Sequence, residues 1–326
     1  MSVVTQKARI VALVAAAALV AAGATVGVTL ATRSHVVKPQ TLKPRAGFPP
    51  LYLDLGVRGD PAARAIRSAS TLYARGRRAE ALRVFDRYSD LEAQVGAAVA
   101  RWPNGTIDRL GTLASAHPDR AVVQLNLGIA DFWAGKGSDA VAAWREAVSV
   151  EPDSPAAVTA DNFLHPSFAP SLPPFVPSFP SPGGLDGLAP DRQLAELARR
   201  ARSGGAHAKL LYGVALQRIG RPVSAEREFA AAARLAPDDP DAQVAAAVGL
   251  FSKARPEQAF GRLGPLTRRF PGVPTVRFHL GVMLLWMREL KQARIELRKA
   301  VAEGPKTAPG QEAQRFLDSL AGVGTP

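Results

Sequence analysis

A fixed step of 34 residues runs through the second half of this chain. Pro237, Pro271 and Pro305 keep it, as do Ala225, Ala259 and Ala293, and again Gly213, Ala247 and Gly281. Upstream, Pro118 and Pro152 are 34 apart, with Gly128, Ala140 and Ala147 between them at matching offsets. A period of that length is one helix–turn–helix unit, so the chain is constrained to stack helix pairs. In 121–154, Gly128 sits where two helices must approach closely, Ala140 and Ala147 keep the second helix thin, and Trp144 fills the space between pairs. Pro152 then ends the second helix, because its ring replaces the N–H that the helical ladder needs.

The same residues recur as Tyr212, Gly213, Ala225, Phe229, Ala232 and Pro237, and as Leu280, Gly281, Ala293, Leu297, Ala300 and Pro305. A weaker copy runs through Ala246, Ala247, Ala259, Leu263 and Pro271. A partial unit carries Leu72, Gly76, Ala81 and Phe85, and a shortened one Gly96 and Leu110. Matched positions in register across these units resemble the tetratricopeptide repeat family. The resemblance implies an all-α fold, a right-handed α-solenoid of helix–turn–helix repeats over 60–321, closed by a capping helix at 310–321. It also implies a concave face, lined by the first helix of each unit, that grips a protein or peptide partner. Those places hold Leu125, Ile129, Leu210, Val214, Val244, Val248, Phe278 and Val282, an apolar groove suited to an amphipathic helix or a proline-rich segment. Asn126 matches one asparagine of the family's peptide-carboxylate clamp, whereas the clamp's lysines and arginine are missing.

Ahead of the repeats, a short basic tail at 1–9 precedes an uncharged run at 10–32. Those 23 residues suffice for a transmembrane helix, which needs about 20. An uncleaved single-pass anchor in the cell membrane is the expectation, with signal-peptidase cleavage after the small residues near Ala22 and Ala24 as the alternative. Two Lys or Arg before the run and four after it favour a cytoplasmic C-terminal side. A short basic tail before an apolar run is also an export signal, and the solenoid is expected outside the cytoplasm. Residues 33–59, basic at first and broken by Lys38-Pro39, Lys43-Pro44 and Pro49-Pro50, read as a linker that spaces the solenoid from the bilayer or rests on anionic lipid.

The 34-residue step is interrupted at 165–190. Eight prolines and Phe168, Phe175 and Phe179 fall in this stretch, which is neither helical nor poor enough in apolar groups for a solvated loop. It is either a binding tongue for a ligand or a strap that caps its own solenoid. Phe168, Phe175 and Phe179 are the strap candidates, expected to lie across or beside the concave face. The flanking helices, 154–164 and 190–203, are expected to form one unit around it.

Catalytic chemistry finds no support. There is no cysteine, no glycine-rich phosphate loop and no pair of histidines sharing helical ligand spacing with a carboxylate, so no catalytic residue, cofactor or metal is expected. Asp238, Asp239 and Asp241 fall in a turn between units, where helix capping explains them. The net charge of +13 invites nucleic acid, but the arginines fall in small groups near helix ends, where the helix dipole favours cations. The expected function is a membrane-anchored interaction scaffold without enzymatic activity. An accessory subunit of a cell-envelope enzyme or assembly machine, self-association, and a basic solenoid binding nucleic acid are the alternatives.

Overall fold

The computed structural model describes residues 43–321. The basic tail at 1–9 and the span expected at 10–32 lie outside the described residues. Among the described residues the structure is helical without strands, and no helix is long and apolar enough to cross a membrane.

Helix hairpins stack in sequence. Helices α1 (Pro61–Ala74) and α2 (Arg78–Phe85), α3 (Leu91–Ala100) and α4 (Thr106–Ala116), and α5 (Ala121–Trp133) and α6 (Gly137–Val150) pair with one another, and α7 (Pro155–Leu164) packs on α5 and α6. Beyond the insertion, α8 (Pro190–Ser203) packs on α9 (Ala206–Arg218), and α9 pairs with α10 (Pro222–Leu235). Next come α11 (Pro240–Gly249), α12 (Pro256–Leu263) and the short α13 (Leu266–Arg269). Helix α14 (Pro274–Trp286) pairs with α15 (Leu290–Glu303), and α16 (Ala308–Ala321) closes the stack against both. Phe316, Leu317 and Leu320 of α16 face the last core.

Local chemistry sets the helix starts. Asp60, Ser154 and Asp239 each accept a backbone N–H from the first turn, and each is followed by proline at the first helical position. Close approach within a hairpin rests on glycine. A Cβ on Gly213 would lie 2.4 Å from the Phe229 ring, and one on Gly128 would lie 2.5 Å from Trp144 Nε1. Phe229 is also wedged against α11, where a Cβ on Gly249 would meet its ring at 3.2 Å. One aromatic thus fills the gap both within its own pair and towards the next.

Two features depart from the sequence expectation. First, α7 and α8 do not pack as a unit: α7 belongs to the first core, which ends at Ala160, and α8 rests on α9 in the second half. The proline-rich insertion carries the chain too far for its flanking helices to meet. Polar groups join the halves instead. Asp153 accepts the N–H groups of Val223 and Ser224, capping α10 from the other half, and Arg221 donates to the Asp153 carbonyl and to Asp54. Second, the described part of the 33–59 linker is not a free spacer. Leu55 is buried, and Phe48, Leu51 and Leu53 pack against the first core. These apolar groups flank Pro49-Pro50, so the segment has both surface to bury and a backbone that favours extension.

Candidate functional site

Two extended segments of the chain cross the first helices of the repeats. The first strap, residues 45–55, runs over α1, α3 and α5. Asn126 on α5 meets it with both ends of its amide: Nδ2 donates to the Tyr52 carbonyl at 2.7 Å, and Oδ1 accepts the Tyr52 N–H at 3.2 Å. The Tyr73 hydroxyl donates to the Pro49 carbonyl at 2.5 Å, and Trp102 Nε1 donates to the Gly47 carbonyl at 3.1 Å. Burial pushes the Tyr73 phenol well above its usual range, so it stays a donor. Arg45 anchors the start of the strap: its N–H donates to the Trp133 carbonyl, and its guanidinium lies 4.2 Å from the centre of the Phe132 ring.

The second strap, residues 168–179, lies over α9, α11 and α14. Phe175, only 2% exposed, stacks on His279 at 5.0 Å and meets Phe229 edge-on at 5.5 Å. Its N–H donates to Gln217 Oε1 at 2.9 Å. The Val176 N–H donates to His279 Nε2 at 2.9 Å, and Ser178 gives both its N–H and its hydroxyl to Asp241 Oδ2, at 2.8 and 2.6 Å. His279 Nδ1 lies 2.7 Å from the Thr275 carbonyl and must carry the proton there, which leaves Nε2 as the acceptor that Val176 uses. Complete burial pushes the His279 pKa down to about 4 against the opposing effect of the Thr275 bond, and the ring stays neutral. At the flanks, Ala169 donates to the Trp286 carbonyl, Ser171 donates to Asn162, and Phe179 stacks on His207 at 4.0 Å. Phe168 is partly buried against the same core.

The eight positions expected to line the apolar groove are all buried. Leu125 and Ile129 lie in the first core, Leu210, Val214, Val244 and Val248 in the second, and Phe278 and Val282 in the terminal one. The side chains that meet the straps are polar and sit one or three positions away: Asn126 beside Leu125, Gln217 after Val214, Asp241 before Val244, and His279 beside Phe278. Asn126 carried a sequence signal through its match to the clamp asparagine. Asp241 carried a misleading one. Asp239 caps α11 and Asp238 pairs with Arg269, whereas Asp241 is buried beneath the second strap.

Between the straps a cavity of about 1090 Å³ opens, lined by Tyr52 and Asp54 of the first, Leu172 and Val176 of the second, and Val158 and Trp286 of the helices. Among the described residues no group of three or more His, Cys, Asp or Glu is arranged to hold a metal ion. Several clustered arginines are matched by acids: Arg77 by Glu80, Arg199 and Arg200 by Glu196, and Arg269 by Asp238.

No protein-family model matches this sequence. No curated protein matches it either. Solved structures of helical repeat proteins do. The Cut9–Hcn1 hetero-tetramer of APC/C is similar at 15% identity over 78% of this chain, with a TM-score of 0.27, and the chain spans 55% of that one. The TPR2AB domain of yeast Sti1 in complex with pHSP90 is similar at 14% identity over 81% of this chain and 98% of its own, with a TM-score of 0.30. A tetratricopeptide repeat protein from Parabacteroides merdae is similar at 12% identity over 78% of this chain and 97% of its own, with a TM-score of 0.32. At TM-scores of this size neither curvature nor partners transfer, and the class defined here, an all-helical array of stacked hairpins, rests on the packing of this chain itself.

Proposed function

We propose that this chain is a membrane-anchored, non-catalytic scaffold that binds a protein partner through the face formed by its first helices. One observation carries this reading. Both halves of the array already hold an extended segment on that face, through side chains that recognise main-chain groups: Asn126 in the first, Gln217, Asp241 and His279 in the second. A face that binds backbone in this way is suited to peptide segments, and nothing in its chemistry calls for a reacting group. The uncharged run at 10–32 supports the anchor, with the solenoid outside the cytoplasm. The pairing of clustered arginines with acids favours a protein partner over nucleic acid.

The test uses the full chain in its own membranes. A photo-crosslinking residue at Tyr52, on the strap side, is compared with one at Ile295, exposed on α15. The expected result is retention in the membrane pellet after alkaline carbonate washing, with one reproducible protein adduct from position 52 and none from 295. A soluble protein with a mature N-terminus near Thr25 overturns the anchor. Equal labelling from both positions overturns the binding face.

A further inference from the structure

The two straps differ in how completely they satisfy the surface beneath them. In the first, Asn126 meets both polar groups of the Tyr52 main chain, and Tyr73 and Trp102 each direct their one donor to a strap carbonyl. In the second, Asp241 is 2% exposed and uses only Oδ2; its Oδ1 is buried without a hydrogen-bond partner. The indole N–H of Trp286, whose carbonyl holds Ala169 and whose ring lines the cleft beside the strap, is also buried and unpaired. A buried acceptor and a buried donor left unmatched weaken the state that contains them. The second strap is therefore an incomplete ligand for its own groove. A segment supplying a donor to Asp241 and an acceptor to Trp286 would outbind it.

The inventory of donors defines the segments that fit. Between 173 and 178 the strap has proline at 173, 174 and 177, so only Phe175, Val176 and Ser178 carry an N–H. Each of the three meets one side-chain acceptor, from α9, α14 and α11 in turn. A chain without those prolines would bring three further N–H groups to a surface where Asp241 Oδ1 is the unpaired side-chain acceptor, and burying the amides beyond it unpaired is costly. The groove thus selects an extended, proline-rich backbone, with an aromatic ring between His279 and Phe229 and a hydroxyl or other donor at Asp241. The tether permits exchange. Gly183, Gly184 and Gly187 fall in an exposed stretch between the strap and α8, so the strap can leave without unwinding a helix.

We propose that the groove of α9, α11 and α14 is a binding site for proline-rich segments of another protein, and that residues 172–179 are an exchangeable placeholder in it. This rests on the scaffold reading above and adds which groove is available and what chemistry it takes. The first strap, held by Asn126, Tyr73 and Trp102 without an unpaired side chain among them, stays in place.

The test uses a labelled synthetic peptide of residues 171–181 and the full chain, intact and as Phe175→Ala, which loosens the native strap. Saturable binding to Phe175→Ala is expected, at least tenfold tighter than to the intact chain, and lost when the peptide itself carries Phe175→Ala. A Phe175→Ala chain that keeps its helix content and cooperative melting, yet binds parent and Phe175→Ala peptides alike, overturns the proposal. Should that variant fail to fold, amide hydrogen exchange on the intact chain decides. Excess peptide is expected to speed exchange at the chain's own Val176 and Ser178 amides and leave Tyr52 unchanged; unchanged exchange at all three overturns it. The crosslinking experiment above separates this failure from failure of the scaffold reading. A partner still captured from position 52 leaves the scaffold standing without the placeholder.

Discussion

The two halves of the array solve the same problem with different chemistry. Each stacks helix hairpins, and each is crossed by an extended, proline-containing segment of its own chain. The first half fixes its strap with one amide, Asn126, that both donates to and accepts from a single residue, and with two aromatic donors aimed at carbonyls. The second half meets the N–H groups of its strap with the acceptors Gln217, His279 and Asp241, and the prolines of that strap leave it few donors. A repeat scaffold therefore leaves the choice of ligand to individual side chains on its first helices, while the glycines and aromatics between helices stay common to both halves.

Removing the Phe175 ring should break the comparison most visibly. Phe175→Ala vacates a buried pocket, and such truncations typically cost about 3–5 kcal/mol. The loss should register in the second half, as faster hydrogen exchange in α9, α11 and α14, while α1, α3 and α5 keep their protection. Equal loss in both halves would mean that the strap braces the whole array rather than one groove.

Acidity should move the halves in opposite directions. His279 titrates at about 4 in the folded chain against an ordinary 6.5, so the folded state binds fewer protons between those values. The contribution of His279 to the second half is then full above about pH 6.5 and is lost as pH falls towards 4, by up to about 3 kcal/mol. Protonation also turns Nε2 into a donor facing the Val176 N–H. In the first half, burial raises Asp131 to about 6 from 3.8, so its contribution is full below 3.8 and is lost as pH rises through 6. Residue-resolved exchange at pH 4.5 and 7 checks both signs, and replacing His279 with Gln should remove the dependence in the second half alone.

Smaller changes sharpen the contrast. Asn126→Ala removes two hydrogen bonds to Tyr52 and leaves both strap groups unpaired, a loss of about 1–3 kcal/mol. Gln217→Ala removes one bond and should cost about 0.5–1.5 kcal/mol. Chemical denaturation of the two variants should rank them in that order. Glu257→Gln, exposed on α12, should stay within about 0.5 kcal/mol of the parent.

Much of the fold was legible because the repeat repeats. Gly213 and Phe229, or Gly128 and Trp144, recur at one offset, and the offset is a geometric demand of helices in close contact. What escaped the sequence was specific to single places. The segment after Lys43-Pro44 reads as a spacer because proline breaks helices, yet proline also suits an extended segment laid on a surface, and only Phe48, Leu51, Leu53 and Leu55 hint that it is buried. The polar side chains that hold the straps were displaced by one or three positions from the apolar ones expected there. Helical periodicity identifies the buried stripe firmly and its polar margin less so, because Asp241 and His279 read as ordinary capping and scattered residues until a partner segment sits against them. Pairing α7 with α8 followed from the period alone, which carries no information on how far an insertion diverts the chain.

The claim on which the rest depends is that both grooves are filled by the chain itself. Amide hydrogen exchange in the native protein at neutral pH addresses it residue by residue. Tyr52, Phe175, Val176 and Ser178 lie outside any helix, and each N–H is held by a side chain of a first helix. They should be protected, the Tyr52 amide to the level of α5 and the other three to a lesser degree that matches their incomplete groove. Exchange of all four at the rate of an unstructured peptide would contradict the account.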